Sequence, residues 1–346
     1  MRALTIDAHG GLEQLRYRDD VAEPSLIDDT SVRVRIKAAA LNHLDLFTIG
    51  GMPHVTIAPP WIVGADGSGI VESVGSGVRT VSPGDAVLIN PGVSCRKCEY
   101  CLSGDNPLCL KYAILGEHRL GTLAEYVVVP EPNVARIALP ASFDVPAAFP
   151  LATLTAWRML VTRARVKEGD NVMIWGIGGG VALAALQIAK RLGARVWVTS
   201  GSPEKLERAR ALGADETLRH GPGIDIGREV RARTGKRGVD VVIDNVGQET
   251  FSQSLGALGR RGRLVTCGGT SGPRLEMDVR RLFWNQWTIM GSTMGSDQEF
   301  AAIVAEYEAG RLSAVVDSTF ALADGRAAFE RMAAGAQFGK IVVRID

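Results

Sequence analysis

Four cysteines fall close together in the run CRKCEYCLSGDNPLC, at Cys95, Cys98, Cys101 and Cys109. Their spacing is C-x2-C-x2-C-x7-C. Thiolates are soft ligands, and four of them close a tetrahedral shell around Zn²⁺ with no position open to substrate. The expected metal is therefore structural. The rival is an iron–sulfur cluster, because C-x2-C-x2-C also opens ferredoxin motifs; those continue with a fourth Cys after three residues and then Pro, which this run does not. Cys267 stands apart and makes the count odd. A reducing compartment with a metal-bound set fits these spacings better than a disulfide framework.

A second chemical signal is WGIGGGVALAALQIAK, a short apolar strand, a glycine-rich turn and an amphipathic helix. Glycines let the backbone approach a pyrophosphate, and a helix N-terminus supplies amide donors and the positive end of its dipole. Gly176, Gly178, Gly179 and Gly180 supply the turn, with Val181 or Ala182 where a further Gly would complete G-x-G-x-x-G. NAD enzymes place an acid about 20 residues on, against the adenosine ribose hydroxyls. Here the next strand ends in Thr199-Ser200-Gly201-Ser202, followed by Lys205 and Arg208. Hydroxyls and cations suit a 2′-phosphate, so the expected coenzyme is NADP(H). Solvated helix residues are the plainer reading of Lys205 and Arg208. Arg219 is a weaker candidate.

These motifs must be held by two kinds of architecture. As far as about residue 130 the chain reads as short strands with Gly or Pro between them: VRVRIKAAAL (32–41), GIVESVGSGV (69–78), DAVLI (85–89) and TLAEYVVVP (122–130). That pattern suggests a partly open β-barrel. Near residue 150 it changes. A helical stretch, TLTAWRMLVTRARV (153–166), leads into alternating strands and helices, which indicates a doubly wound parallel sheet. Ser202, Pro203 and Gly213 are the cap, first-turn and stop signals of one of those helices. WTIMGSTMG (287–295) reads as a last strand of this part. A helix (299–310) and a final strand, GKIVVRI (339–345), close the chain.

Composition narrows the function classes. The chain has 346 residues, 46% hydrophobic and 22% charged, the balance of a folded globular protein. No apolar run reaches the ~20 residues of a membrane span, and MRALTIDAHGG has no signal-peptide core. A cytoplasmic enzyme is expected. The net charge of +1 argues against nucleic acid as the partner. Residues 153–293 hold 22 basic against 13 acidic side chains, while the rest of the chain carries a net −8. A basic domain suits a phosphate-bearing ligand.

Taken together, ALNHLDLF (40–47), GADGSGIVESVG (64–75), PGDAVLI, the cysteine run, GTLAEYVVVP, the glycine-rich turn and GKIVVRI resemble the medium-chain dehydrogenase/reductase superfamily. That superfamily includes the zinc alcohol dehydrogenases and the quinone reductases. The resemblance spans essentially the whole chain. It implies an α/β fold in which a Rossmann coenzyme domain (153–293) is inserted into a GroES-like barrel (1–152 plus 294–346) carrying a zinc lobe at 91–112. It also implies an active site in the cleft between the domains, and a homodimer or homotetramer formed through the edge strand near 287–295.

Alcohol dehydrogenases of this superfamily bind a second, catalytic zinc through Cys, His and Cys. The matching positions here are Asn42, Ala65 and Leu151. Ala and Leu bind no metal, and an Asn amide is a poor zinc ligand. The resemblance therefore points to the zinc-free reductases. An activated alkene or quinone is already electrophilic, so positioning beside the nicotinamide and a donor at the developing enolate suffice. By resemblance Asn42 faces the nicotinamide, and Asn42 and His43 are the candidate donors. His43 also matches residues that contact the coenzyme phosphate, Asp45 an acid held near the site, Asp66 a Glu beside the metal, and Thr155 a nicotinamide contact. Asn245 and Gly247 lie at the carboxyl end of the sheet, where a coenzyme passes; Lys340 is either a further coenzyme contact or a surface residue. His43, Asp45, Asp66 and His118 also offer an unusual metal set, because His and carboxylates are competent ligands. Trp61, Phe47, Trp284 and Trp287 are either pocket-lining or core residues. The leading expectation is NADPH-dependent reduction of an enone or quinone. The alternatives are a zinc alcohol dehydrogenase or ketone reductase with unusual ligands, and a non-catalytic NADPH-binding protein.

Overall fold

The computed structural model describes residues 1–53 and 55–345. The chain divides into two compact units, Met1–Leu154 with Gly295–Asp346, and Thr155–Met294.

The first unit is built on antiparallel strands. Its main sheet runs in the order Val134–Ile137, Ala86–Ile89, Asp66–Val74, Ser31–Ala40, Lys340–Arg344, Val316–Ala321, with Tyr126–Pro130 also pairing to Ser31–Ala40. Alternation in Ser31–Ala40 buries Val32, Val34 and Ile36, and they join Leu4, Ile6, Val71, Val87, Phe329 and Val343 in one apolar core. The C-terminal strand is an inner strand, paired antiparallel to Ser31–Ala40 and parallel to Val316–Ala321. The strand Val316–Ala321 shows no sequence periodicity. The strand is only partly buried along its length, so it lacks a clean apolar alternation. Gly64, in the GADG run, has φ +100° and lies against the backbone of Gly116 and Gly121. A Cβ at Gly121 would fall 2.3 Å from the Gly64 carbonyl oxygen, so the run needs glycine there for a close backbone approach.

In the second unit six parallel strands stand in the order Glu216–Arg219, Arg195–Ser200, Asn171–Ile174, Val239–Asp244, Leu258–Thr266, Thr288–Gly291. Numbered along the chain this is 3-2-1-4-5-6, the doubly wound order of a dinucleotide fold. Met173, Trp175, Trp197, Val242, Leu264 and Trp287 form its core. The helix Pro203–Ala211 starts as the capping signals required: the Ser202 hydroxyl accepts from the Lys205 amide at 3.3 Å. The expected helix over 153–166 is different. An α-helix covers Pro150–Trp157 and passes into a π-helical segment, Arg158–Arg163. The Ala164 amide donates to the Met159 carbonyl, five residues back, which widens the last turns. The final strand of this unit is also shorter than 287–295, covering Thr288–Gly291. Trp287 turns into the core instead, donating its indole N–H to the Gly259 carbonyl at 2.8 Å. No helix among the described residues is long and apolar enough to cross a membrane.

Candidate active site

The cysteine run folds into a small lobe. Gly92–Val93 pairs with Ala113–Ile114, and a short helix, Glu99–Leu102, follows Cys98. The four Sγ atoms of Cys95, Cys98, Cys101 and Cys109 lie within 4.8 Å of one another, the separation a tetrahedral metal needs. Backbone amides of Cys95 and Lys111 donate to the Cys109 sulfur, at 3.2 and 3.3 Å, as they would to a thiolate. The lobe is tied down by Arg96, which pairs with Asp297 and donates to Asn133 at 3.3 Å. This is the one group of three or more potential ligands among the described residues. His43, Asp45, Asp66 and His118 do not gather into such a group. The His118 imidazole instead accepts from the Ile114 amide through Nδ1, at 3.4 Å, and sets Nε2 3.7 Å from Glu117.

A second cluster forms where three strands meet. Sheet register explains it. Ala40 stands opposite Asp66 on one side and opposite Val342 on the other. The Leu41 amide donates to the Ile341 carbonyl, so continuing the ladder brings Lys340 to Asn42. The Lys340 ammonium donates to Asn42 Oδ1 and, at 2.9 Å, to Asp66 Oδ2. Asn42 Nδ2 donates to the same Asp66 oxygen at 3.0 Å and to the Ala40 carbonyl at 3.3 Å. The other Asp66 oxygen accepts from the Leu151 amide at 2.8 Å. The Lys340 side chain is 5% exposed and that of Asp66 is 0% exposed. Asn42 and the Leu151 amide thus both close on one buried ion pair, Lys340–Asp66.

Asn42 also caps the helix His43–Gly50, and Asp45 completes the box by accepting from the Asn42 amide at 2.7 Å. Burial pushes the Asp45 carboxyl up to about 7; the Asn42 hydrogen bond and the Lys340 charge oppose that, while the Asp66 charge adds to it. His43 is the first residue of the helix; desolvation, and then the Lys340 charge, lowers its pKa. Asn42 thus joins Asp45, Asp66 and Lys340, with a hydrogen bond to each. The sequence offers Lys340 as a coenzyme contact or a surface residue, and Asn42 or His43 as the donor; the structure buries Lys340, so it is not a surface residue. Both Nδ2 hydrogens of Asn42 are already bonded within the protein.

The second unit presents the glycine-rich turn. Gly176 and Gly178 have φ of +66° and +129°, conformations that a side chain resists. Gly179 caps the helix Gly180–Arg191, which begins with Val181 in its first turn. The Gly176 amide donates to Thr199 Oγ1 at 3.2 Å and the Ile177 amide to the Thr199 carbonyl at 2.8 Å. The turn is thereby fixed to the end of the next strand, where Ser200 is buried and its hydroxyl accepts from the Ser202 amide at 3.1 Å. Lys205 and Arg208 lie on the helix that follows, as does Glu204, the nearest carboxylate in sequence. Burial lowers the pKa of His220, whose Nδ1 lies 3.2 Å from Thr199 Oγ1. Sequence reading passed over His220, which no local motif marks. At the sheet's carboxyl end, the buried Asp244 accepts from the amides of Val246 and Gly247, both at 3.0 Å, and from the hydroxyls of Thr250 and Ser254. That anchors the loop carrying Asn245 and Gly247. The Thr155 hydroxyl is buried against Met294 Sδ at 3.9 Å. An open glycine turn at a helix N-terminus fits a dinucleotide. Of the aromatic residues, Trp61 is a core side chain, donating to the Gly116 carbonyl at 2.8 Å, and Trp287 is another. Phe47 and Trp284 are exposed.

Comparison with known proteins identifies the family. Residues 28–140 match the alcohol dehydrogenase GroES-like domain, and residues 180–309 match the zinc-binding dehydrogenase domain. A zinc-type alcohol dehydrogenase-like protein of Schizosaccharomyces pombe is 32% identical, covering 100% of this chain and 99% of the relative. The chain belongs to the medium-chain dehydrogenase/reductase superfamily. It is an oxidoreductase of that superfamily, with the GroES-like and Rossmann folds of its members. The quinone oxidoreductase of Lama guanicoe is 30% identical over 93% of this chain and 90% of its own. Among solved structures, an NAD-dependent alcohol dehydrogenase shares 44% identity with full coverage of both chains and a TM-score of 0.95. A cobalt- and zinc-bound alcohol dehydrogenase from Pyrobaculum aerophilum shares 33%, covering 100% of this chain and 99% of that one, with a TM-score of 0.90.

Proposed function

We propose that this dehydrogenase/reductase transfers hydride from NADPH to an activated alkene or quinone and uses no catalytic zinc. One observation carries the reading. By resemblance the three catalytic-zinc ligand positions hold Asn42, Ala65 and Leu151, and Asn42 and the Leu151 amide are bonded instead to Asp66, which forms a buried ion pair with Lys340. A carboxylate and an ammonium already neutralise each other there, so a dication would have to displace a buried cation. NADPH, when bound, supplies the hydride. Gly176, Gly178, Gly179, Gly180 and Val181 would hold its pyrophosphate. Ser200, Lys205 and Arg208 would meet its 2′-phosphate, and Asn245, Gly247 and Thr155 would line its path. His43 would reach a coenzyme phosphate. Asp45 and Asp66 hold Asn42 and Lys340 in place.

The cysteine lobe is the site for one structural zinc per chain, and the reduced thiols suit a cytoplasmic protein. A homodimer or homotetramer would form along the free edge of Thr288–Gly291, an outer strand of its sheet. A second reading, NAD-dependent oxidation of an alcohol, is favoured by the name of the solved relative at 44% identity. Two measurements on the purified protein separate the two. The reductase reading expects one zinc per chain and NADPH oxidation driven by an enone or quinone. Two zincs, with chelator-sensitive alcohol oxidation, would overturn it.

A further inference from the structure

We propose that Asp244 is a positioning residue that holds the glycine-rich turn and the 245–247 loop at one fixed separation, so that a coenzyme meets both at once. The proposal rests on the coenzyme reading above, in its NADPH or its NADH form, and all its residues belong to the second unit. The strands Asn171–Ile174 and Val239–Asp244 are parallel neighbours, and the Trp175 amide donates to the Ile243 carbonyl at 3.1 Å. Trp175 and Asp244 therefore leave the sheet side by side, Trp175 into the glycine turn and Asp244 into the 245–247 loop. A buried chain of hydrogen bonds then joins them. The Trp175 indole N–H donates to the Ser254 hydroxyl oxygen at 2.7 Å, and that hydroxyl donates to Asp244 Oδ2 at 2.8 Å. An indole can only donate, so the hydroxyl hydrogen is left for Asp244 and the direction of both bonds is fixed. The other oxygen, Oδ1, accepts from the amides of Val246 and Gly247, both at 3.0 Å. Trp175, Ser254 and Asp244 are all buried.

Two observations tie this chain to a ligand. In the strand order 3-2-1-4-5-6, Ser200 ends strand 2, the glycine turn follows strand 1 and the 245–247 loop follows strand 4. A dinucleotide laid across these ends from its adenosine side reaches strand 4 with the half beyond its pyrophosphate. The separation that Asp244 fixes is thus one the two halves of a coenzyme must match, and holding it before binding removes an ordering cost. The Asn245 Oδ1 atom is also buried without a donor among the described residues. An unfilled buried acceptor is costly, and a ribose hydroxyl or a carboxamide N–H of that second half supplies the missing donor. The loop cannot drift to meet it from elsewhere, because the Ser271 amide and hydroxyl both donate to the Val246 carbonyl at 2.9 Å.

The test compares a whole coenzyme with the half that ends at its pyrophosphate, by titration calorimetry on the zinc-loaded protein. The pairs are NADPH with 2′-phospho-ADP and NADH with ADP. The wild type is expected to bind the whole coenzyme of one pair more tightly than its half. Ser254→Ala and Trp175→Phe each cut the link, and each should weaken the whole coenzyme by about tenfold while leaving the half within about twofold. Ser254→Ala strands the Trp175 N–H, so the double variant Ser254→Ala/Trp175→Phe, which strands no donor, is measured alongside. It should match the single variants, because all three break the same link. Asp244→Ala should bring the whole coenzyme down to the affinity of the half; if that protein fails to fold, the link variants still decide. General destabilisation would weaken both ligands together. Link variants in which coenzyme and half weaken alike, or in which neither weakens, overturn the proposal, as does a wild type that binds the coenzyme no more tightly than the half. A wild type that binds none of the four ligands refutes the coenzyme reading instead.

Discussion

At the scale of single residues, stability and chemistry compete over the same few atoms. Removing one member of a buried pair leaves an uncompensated charge, which costs ~3–5 kcal/mol, whereas replacing both by apolar groups is often neutral. Asp66→Leu should therefore lower the urea midpoint sharply, and Asp66→Leu with Lys340→Met should recover most of the loss. Equal midpoints for the single and double variants would mean that the pair is solvated. Asp45 gives a pH signature. Its folded pKa, about 7, lies above the ordinary 3.8, so the folded state favours the neutral acid. The stabilisation from Asp45 is complete below pH 3.8 and is lost as pH rises through about 7. Asp45→Asn should remove that decline, read as unfolding free energy against pH; parallel curves for the two proteins would contradict the shift.

At the scale of elements, the contrast is between local signals and those made by register. The cysteine lobe was legible because all four ligands lie in one short run whose spacing alone brings the sulfurs together. The glycine turn was legible for the same reason, being one strand, one turn and one helix. The Lys340–Asp66–Asn42 cluster was only half legible. Each residue stood out, but their meeting depends on which strands are neighbours, and a one-residue slip would separate them. The π-helical segment and the inward turn of Trp287 were also hidden, since tertiary packing decided both.

Two elements carry predictions of their own. Cys109→Ser should release zinc, counted by elemental mass spectrometry, and lower the melting temperature, because a closed metal site contributes folding energy. Near the glycine turn, Lys205→Glu with Arg208→Glu should weaken NADPH by about tenfold or more, roughly 1.4 kcal/mol, and spare NADH. Thr199→Val, which removes the acceptor of the Gly176 amide, should weaken both coenzymes alike. Fluorescence titration reads both changes, and unchanged selectivity in the charge-reversed variant would favour NADH as the native ligand.

At the scale of the molecule, the outer strand Thr288–Gly291 adjoins the helix Val279–Asn285, on which Phe283 and Trp284 are largely exposed. If copies pair along this edge, Trp284→Glu should shift the sedimentation coefficient from dimer or tetramer towards monomer. A monomeric wild type would end the pairing argument. The sheet of the first unit has another consequence, in the order of synthesis. Its strand Lys340–Arg344 lies between Ser31–Ala40 and Val316–Ala321, yet it leaves the ribosome after the whole of the second unit. Until then the early strands expose an unfilled slot, and Asp66 waits without its cation. The nascent chain thus holds a finished nucleotide-binding module beside an open, aggregation-prone sheet edge. The strand Lys340–Arg344 then closes that edge and brings Lys340 to Asp66 in a single step.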